Sequence, residues 1–189
     1  MSDDERWFGE QFDASRFSDG QADDEVIKAT IEEVFEARHV VPVEPDSPYN
    51  NFAEEKQIHH LIDYTGIDYL VDTFDSPLFG INHRTHSPSK LTLHFDIRVE
   101  TGSEAPSELE KLRHAKRWDI VPKYATRMKQ TDDGIEWFRI VRLEPFIEAI
   151  KDGLEPSKEW TDSDHEVKAW MYDYGKLRDR DMVVAELEP

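Results

Sequence analysis

The stretch from Ile58 to Thr85, IHHLIDYTGIDYLVDTFDSPLFGINHRT, contains the clearest indication of how this chain folds. IDYLVD (67–72) has the β-branched and aromatic content of a strand, and DSP (75–77) is typical of a turn. LFGINHRT (78–85) then reads as the returning partner strand. We therefore predict a β-hairpin near the middle of the chain.

Polar residues of this hairpin are placed for chemistry. Asn82 and Arg84 are two residues apart, so they should project from the same face, opposite Asp68 on the first strand. Phosphodiester hydrolysis uses a divalent cation, and the carboxylate of Asp68, the amide oxygen of Asn82 and the main-chain carbonyl of His83 are ligands that suit Mg²⁺ or Mn²⁺. Arg84 could then hold the phosphate. The alternative is an ordinary hairpin in which Arg84 pairs with Asp68 or Asp72.

The segments before the hairpin predict two helices. Ala22 to Arg38 has one apolar stripe at helical spacing, formed by Ile27, Ile31, Val34 and Phe35. HVVPVEPDSPYN (39–50) contains three prolines and predicts a connector. Asn51 is a suitable N-cap for a second helix, from Phe52 to about Tyr64.

A third strand is predicted directly after the hairpin. In LTLHFDIRV (91–99) the apolar residues point one way, namely Leu91, Leu93, Phe95, Ile97 and Val99. The residues between them point the other way, namely Thr92, His94, Asp96 and Arg98. This alternation predicts one face in the core and one face at least partly in contact with water.

The second half of the chain continues the mixed pattern. Ser107 can cap a helix that runs to about Trp118, and strands are predicted within 119–128 and 135–143 on either side of the turn TDDG. A short helix from Glu144 to Lys151, closed by Gly153, and a last helix at 164–173 complete the predicted elements.

The order α–β–β–β–α–β–β–α predicts one mixed α/β domain, a central sheet flanked by helices. We assign residues 1–49 to an N-terminal extension with one amphipathic helix, 50–153 to the core, and 154–189 to an acidic, helical C-terminal tail.

The composition restricts the classes of function. The chain has 42 acidic against 23 basic residues, a net charge of −19, and this dispersed excess is typical of proteins from a high-salt cytoplasm. An acidic interaction protein or a DNA mimic is the alternative. The absence of cysteine excludes disulfides, thiolate metal sites and cysteine nucleophiles. No apolar run approaches the roughly 18 residues of a membrane span, and we expect a cytoplasmic protein without membrane contact.

One segment is basic despite this acidic background. Between Lys111 and Lys129 the chain has a single acid, Asp119. Because phosphate contacts dominate nucleic-acid affinity, we predict that DNA binds here. The predicted contacts are Arg113, Lys116, Arg117, Lys123 and Arg127. The alternative is a basic helix face paired with acidic neighbours.

Five histidines form a second cluster, namely His59, His60, His83, His86 and His94. His83 and His86 could bind Zn²⁺ together with His59 or His60. A continuous strand would place His83 and His86 on opposite faces, so satisfied histidines on a wet face are the alternative.

Residues 50–145 resemble the PD-(D/E)XK nuclease superfamily, which includes restriction enzymes, Holliday junction resolvases and phage or archaeal exonucleases. The resemblance rests on the order of three features: a helix with acids, then GID (66–68), then a strand with a polar-x-basic pair. In addition, SELEKL (107–112) is similar to the later helix of some members. The resemblance implies a restriction-endonuclease-like α–β–β–β–α–β core and Mg²⁺- or Mn²⁺-dependent cleavage of DNA. Many relatives of this fold pair up, which implies a homodimer.

By position, Asp68 matches the family's metal-binding Asp, and Glu54 or Glu55, of which we favour Glu55, matches an acid on the preceding helix. Asn82 stands where the family has Glu or Gln, and Arg84 where it has Lys or, less often, Arg. An amide binds metal more weakly than a carboxylate, and Arg cannot act as a base. The sequence thus predicts a metal-dependent nuclease, or a catalytically inactive binding module for nucleic acid or protein on the same fold.

Overall fold

Two β-sheets and four helices make up the part of the chain that the computed structural model describes, residues 24–43, 65–86, 94–101, 106–118, 121–131, 134–162 and 167–187. The helices are α1 (Asp24–Val34), α2 (Glu108–Trp118), α3 (Leu143–Lys151) and α4 (Tyr174–Arg178). The strands are β1 (Ala37–Pro42), β2 (Tyr69–Thr73), β3 (Phe79–His86), β4 (His94–Glu100), β5 (Tyr124–Thr131), β6 (Gly134–Arg142), β7 (Lys158–Asp162), β8 (Val167–Asp173) and β9 (Val183–Leu187).

The larger sheet is mixed and has six strands in the order β1-β2-β3-β5-β6-β9. Strands β3 and β5 are parallel, and the other neighbours in this sheet are antiparallel. The smaller sheet has three antiparallel strands in the order β4-β8-β7. The predicted α/β class is therefore confirmed.

The hairpin of β2 and β3 forms as predicted. The main-chain N–H of Asp68 donates to the carbonyl of Ile81 over 2.8 Å, and the turn is closed by the Ser76 N–H, 3.1 Å from the hydroxyl of Thr73. Gly80 packs closely against Ile67, because a Cβ at position 80 would lie 2.8 Å from the Ile67 side chain. Close packing under the hairpin thus favours glycine at this position.

The segment after α1 differs from the prediction. The helix ends at Val34 rather than Arg38, and Glu36 takes a left-handed φ of 46° that turns the chain. Residues 37–42, predicted as part of the helix and a connector, form β1 at the edge of the large sheet. Pairing with β2 decides this, and an edge strand tolerates the proline at its end.

One apolar core lies between α1 and one face of the large sheet. The predicted stripe of α1 is buried there, namely Ile27, Ile31 and Val34, with Phe35 packed beside them. The strands contribute Val40, Tyr69, Val71, Ile81, Met128, Phe138, Ile140, Ala185 and Leu187. Each large aliphatic side chain buried in this way contributes about 1.5–3 kcal/mol, so α1 is held by packing more than by helix propensity.

A second layer covers the other face of the large sheet. Ala125 and Val141 of that sheet share a core with Phe95 of β4, Leu112 of α2 and Phe146 of α3. Strand β4 belongs to this layer, so the strand next to β3 is β5. Phe95 and Ile97 of the predicted apolar face of β4 are buried, and Val99 is partly buried. On the other face Arg98 is exposed, in agreement with the predicted contact with water, whereas Asp96 is only 7 % exposed. Leu91, Thr92 and Leu93 lie outside the described residues.

The capping predictions hold in this layer. The Ser107 hydroxyl accepts from the N–H of Glu110 over 3.3 Å, and the Glu110 carboxylate accepts from the N–H of Ser107 over 2.8 Å. This reciprocal pair is a capping box at the start of α2. Gly153, with a φ of 95°, follows α3 as predicted.

The C-terminal prediction was wrong. Where a helix was expected at 164–173, residues 167–173 form β8, the central strand of the small sheet. The apolar segment at 183–187 is β9, an edge strand of the large sheet. Hydrogen bonding to β4 and β7 on both sides favours the extended form of a segment that already contains Val, Trp and Tyr.

Candidate functional site

The structure brings Asp68 and Asn82 together, as the sequence predicted. The Asn82 Nδ2 donates to Asp68 Oδ2 over 3.2 Å and to the Gly66 carbonyl over 3.1 Å. The main-chain N–H of His83 also donates to Asp68 Oδ2, over 2.6 Å. The carboxylate is therefore held against the start of β3 by two donors from the second strand.

Burial raises the pKa of Asp68 to about 6, because the ionised carboxylate loses water there. The N–H of His83 acts in the opposite direction, and the negative charge of Glu108 raises the pKa further. Asp68 consequently changes its charge close to neutral pH, which is unusual for an aspartate.

Arg127 lies at the centre of the site, in the interior. Its guanidinium donates to Asn82 Oδ1 over 3.0 Å, to Asp96 Oδ1 over 3.3 Å and to Glu108 Oε1 over 2.8 Å. It also donates to the carbonyls of Thr126 and Asp96, and its side chain is 1 % exposed. The predicted contact between Arg127 and nucleic acid is incompatible with this burial.

Arg84 is bound to the same two acids. Its guanidinium forms ion pairs with Asp96 and with Glu108, the latter over 2.5 Å. Burial alone would lower the pKa of Arg84, but the Glu108 and Asp96 carboxylates raise it above its ordinary value. The alternative in which Arg84 pairs with Asp68 or Asp72 is not what forms, since its partners come from β4 and α2.

The two acids remain ionised for the same reason. Burial would raise the pKa of Asp96, yet Arg84 holds it well below its usual range. Arg84 and Arg127 likewise outweigh burial at Glu108 and lower its pKa. We call Asn82, Arg84, Asp96, Glu108 and Arg127 the buried ion-pair network. It lies between the large sheet, through β3 and β5, and the second layer, through β4 and α2.

The charges of the site nearly cancel. Three carboxylates, those of Asp68, Asp96 and Glu108, face two guanidinium groups, so the site has one net negative charge when Asp68 is ionised and none when it is protonated. Among the described residues there is no group of three or more His, Asp or Glu side chains that could hold a metal ion. Glu54, Glu55, His59 and His60 lie outside the described residues.

Asp96 and Glu108 were not selected from the sequence. Asp96 lies on the polar side of a cleanly alternating strand, and Glu108 follows the N-cap Ser107. These positions indicated a wet strand face and a helix start. Only the packing of β4 and α2 against β3 turns them into partners of Arg84.

The described histidines do not form a zinc site. His83 lies on one face of β3, its ring nitrogens 2.8 Å from the Thr126 hydroxyl and 3.0 Å from that of Thr85. Burial lowers the pKa of His83 to about 3, so its ring is neutral. His86, on the opposite face, approaches Asp96 at 3.2 Å. The expected separation of the two rings is thus observed.

The basic segment is divided by the fold. Arg113 and Lys123 are exposed, whereas Lys116 is bound to Glu144 over 2.7 Å and to Glu148 over 3.3 Å. The side chain of Arg117 lies outside the described residues. Of the predicted DNA contacts, two therefore remain available without breaking an ion pair described here.

Comparison with known proteins does not assign the chain to a family. No family model matches the chain, and neither does any curated protein or any solved structure. No helix in the described part of the chain is long and apolar enough to cross a bilayer.

Proposed function

We propose that this chain is a nuclease-like module that binds nucleic acid without cutting it. The observation that carries the proposal is the hydrogen bond from Arg127 to Asn82 Oδ1, the oxygen that a metal would need. The Nδ2 of the same amide is bound to Asp68 and Gly66. The Asn82 side chain therefore links Asp68 to Arg127 through hydrogen bonds.

The charge of the site supports the same conclusion. Bringing a divalent cation beside two buried guanidinium groups costs electrostatic free energy, and a single net negative charge offsets little of it. Arg84 is bound to Asp96 and Glu108, so contact with a phosphate would require breaking buried ion pairs. Breaking such a pair typically costs about 3–5 kcal/mol.

The proposal takes the large sheet as a restriction-endonuclease-like core. Along the chain, β2, β3, β4, α2 and β5 follow the strand–strand–strand–helix–strand order that the resemblance implies, and β5 pairs with β3 in parallel. Strand β4 lies apart from this core, in the second sheet. Binding would use the exposed cations Arg113 and Lys123, because those already paired with acids have less to gain from phosphate.

Binding is tested by fluorescence anisotropy with linear, nicked and branched DNA at low and at molar KCl. We expect a double variant, Arg113→Gln with Lys123→Gln, to bind more weakly. The slope of log K against log salt should also become less steep, by about 1 per removed cation. Lys151→Gln, an exposed lysine on α3, is the matched control. Loss of affinity in the control as large as in the double variant would contradict this assignment.

Cleavage is tested in the same buffers with Mg²⁺ or Mn²⁺. We expect intact DNA with the parent chain and with Asp68→Asn. Asp72→Asn, which alters the next acid of the hairpin, is the control. Cleavage that Asp68→Asn abolishes and Asp72→Asn retains would overturn the non-catalytic proposal.

A metal-dependent nuclease is the second candidate, and the raised pKa of Asp68 favours it. A buried carboxyl whose ionised form is destabilised gains from a bound cation. Asp68 would ligate Mg²⁺ or Mn²⁺ with Glu55, and the cation would supply an activated water. Calorimetric titration with Mn²⁺ separates the two candidates, since only this one predicts binding that Asp68→Asn removes.

A further inference from the structure

A second site lies at the end of the large sheet where β3 and β5 begin, away from the buried ion-pair network. It is a cavity of about 250 Å³ between the end of α1, the turn of the hairpin and the start of β5. Cavities for drug-sized ligands have about 300–1,000 Å³, so this one suits a single ring system.

Three aromatic rings form the base of this cavity. Phe35, Phe79 and Tyr124 contact one another in a triangle, with ring centroids 5.2 to 5.5 Å apart. All three are only partly buried, so their packing against the apolar core leaves ring surface at the cavity. Rigid aromatic surface of this kind binds other planar rings by stacking.

A cation stands over these rings. The Nζ of Lys123 lies 5.1 Å from the centroid of Phe79 and 5.2 Å from that of Tyr124. Its other described contact is a 3.4 Å hydrogen bond to the Ser76 hydroxyl, which is neutral. The described contacts of Lys123 therefore include no ion pair with an acid. An anionic group bound above the rings would contact this charge directly.

Phe74 extends the aromatic surface into solvent. It is 77 % exposed in the hairpin turn, and the Arg38 guanidinium lies 4.8 Å from its ring centroid. Arg38 also donates to Asp72 over 2.8 Å, which holds it in place beside the ring. A large aromatic ring kept this exposed, next to a cavity lined by other rings, is available to a ligand.

Two acids complete the lining, Glu36 and Asp75. Glu36 occupies the left-handed conformation after α1, a position that ordinarily favours glycine. Carboxylates in the lining of a cavity make it a poor site for a bare anion, but they accept hydrogen bonds from exocyclic amino groups, as Asp and Glu accept from the amino group of cytosine.

We infer that this cavity binds a nucleotide whose base carries an exocyclic amino group. The base packs against the aromatic surface of Tyr124, Phe79 and Phe74, and because the planes of Phe79 and Tyr124 are at 83° it stacks on one of these two rings and meets the other edge-on. An acid at the rim accepts from the amino group, and the phosphate meets Lys123. Free mononucleotide and an unstacked nucleotide of a single strand share this chemistry. In its polymer form the inference rests on the proposed function.

Calorimetric titration of the full chain tests it with cytidine monophosphate, uridine monophosphate, cytidine and inorganic phosphate, and then with short oligo(dC) and its duplex. We expect cytidine monophosphate to bind more tightly than uridine monophosphate or cytidine. Titration with inorganic phosphate alone should not saturate the site. Oligo(dC) should compete for the same site, and the duplex should not.

Matched variants separate the cavity from general effects on the fold. Phe74→Ala and Lys123→Met both alter exposed side chains, and we expect each to weaken the binding of cytidine monophosphate. For Phe74→Ala the affinity should fall by about 5- to 150-fold. Leu78→Ala, which removes a 63 % exposed side chain from the same turn, and Lys151→Met are the controls and should bind as the parent does. Glu36→Gln tests the base preference, and we expect the ratio between cytidine and uridine monophosphates to fall.

The outcomes distinguish this inference from the proposed function. DNA binding that Lys123→Met weakens and Phe74→Ala leaves unchanged would overturn the inference for a single strand and leave the function in place. Binding of cytidine monophosphate that these variants abolish, without DNA binding, would support the cavity and contradict the function. No binding of any nucleotide by a folded parent chain would overturn the inference.

Discussion

Removing Arg127 should destabilise the fold more than any other single change in the buried ion-pair network. The substitution Arg127→Met keeps similar length and removes five hydrogen bonds, two of them to carboxylates. Asp96 and Glu108 then share one guanidinium, that of Arg84, and the Asn82 carbonyl loses its donor. Two buried acids facing one cation is the situation in which breaking an ion pair is most costly.

The expected loss is about 3–5 kcal/mol, the range for removing one partner of a buried pair. For a chain of 150–250 residues each kcal/mol lowers Tm by about 2–4 °C, so Tm should fall by roughly 6–20 °C. Arg178→Met is the matched control, because Arg178 also binds an acid, Glu186, but its side chain is 58 % exposed. Its loss should stay within about 1 kcal/mol.

The assay is thermal and urea denaturation of both variants, followed by tryptophan fluorescence. Adding Glu108→Met to Arg127→Met should restore part of the loss, because an unpaired buried charge is removed together with its partner. If Arg127→Met destabilises the chain no more than Arg178→Met does, the network contributes no more than a surface ion pair, and the reasoning fails.

Two further predictions concern the hairpin. Because burial raises the pKa of Asp68 from 3.8 to about 6, the folded state binds its proton more tightly than the unfolded chain, and stability is lost as pH rises between these values. A difference of about 2 pKa units corresponds to about 3 kcal/mol, so Asp68→Asn should be more stable than the parent by up to that amount at pH 7, with the two converging below about pH 4. Urea denaturation across this range checks the sign, which a less stable variant at pH 7 would refute. Gly80→Ala should cost about 1–3 kcal/mol through overpacking against Ile67, and Ile67→Val in the same chain should recover part of the loss; no recovery would place the strain elsewhere.

Local sequence patterns predicted the secondary structure correctly where a segment is stabilised by its own residues or by a single apolar surface. The hairpin was predicted from β-branched residues around a proline turn, and α2 from Ser107 as its N-cap. The stripe of α1 was predicted from its period alone. In each case the stabilising interactions are within the segment or against one apolar surface, so the sequence of the segment contains the information.

The prediction was wrong where distant strands compete for a segment. Residues 37–42 contain a single proline, Pro42, at the end of the strand, and pairing with β2 makes them extended. Residues 167–173 are extended because β4 and β7 flank them. Sheet pairing is a long-range interaction, and local propensity does not reveal which strands will meet.

The candidate site divides in the same way. The sequence by itself determined that Asp68 and Asn82 lie side by side, because a hairpin with a short turn leaves little choice of register. It did not determine what Arg84 and Arg127 contact. Their partners Asp96 and Glu108 come from β4 and α2, which reach β3 only when the second layer packs on the sheet. A charged side chain prefers water unless partners compensate its burial, so only the tertiary structure, which places Asp96 and Glu108 beside them, decided that these two arginines lie in the interior.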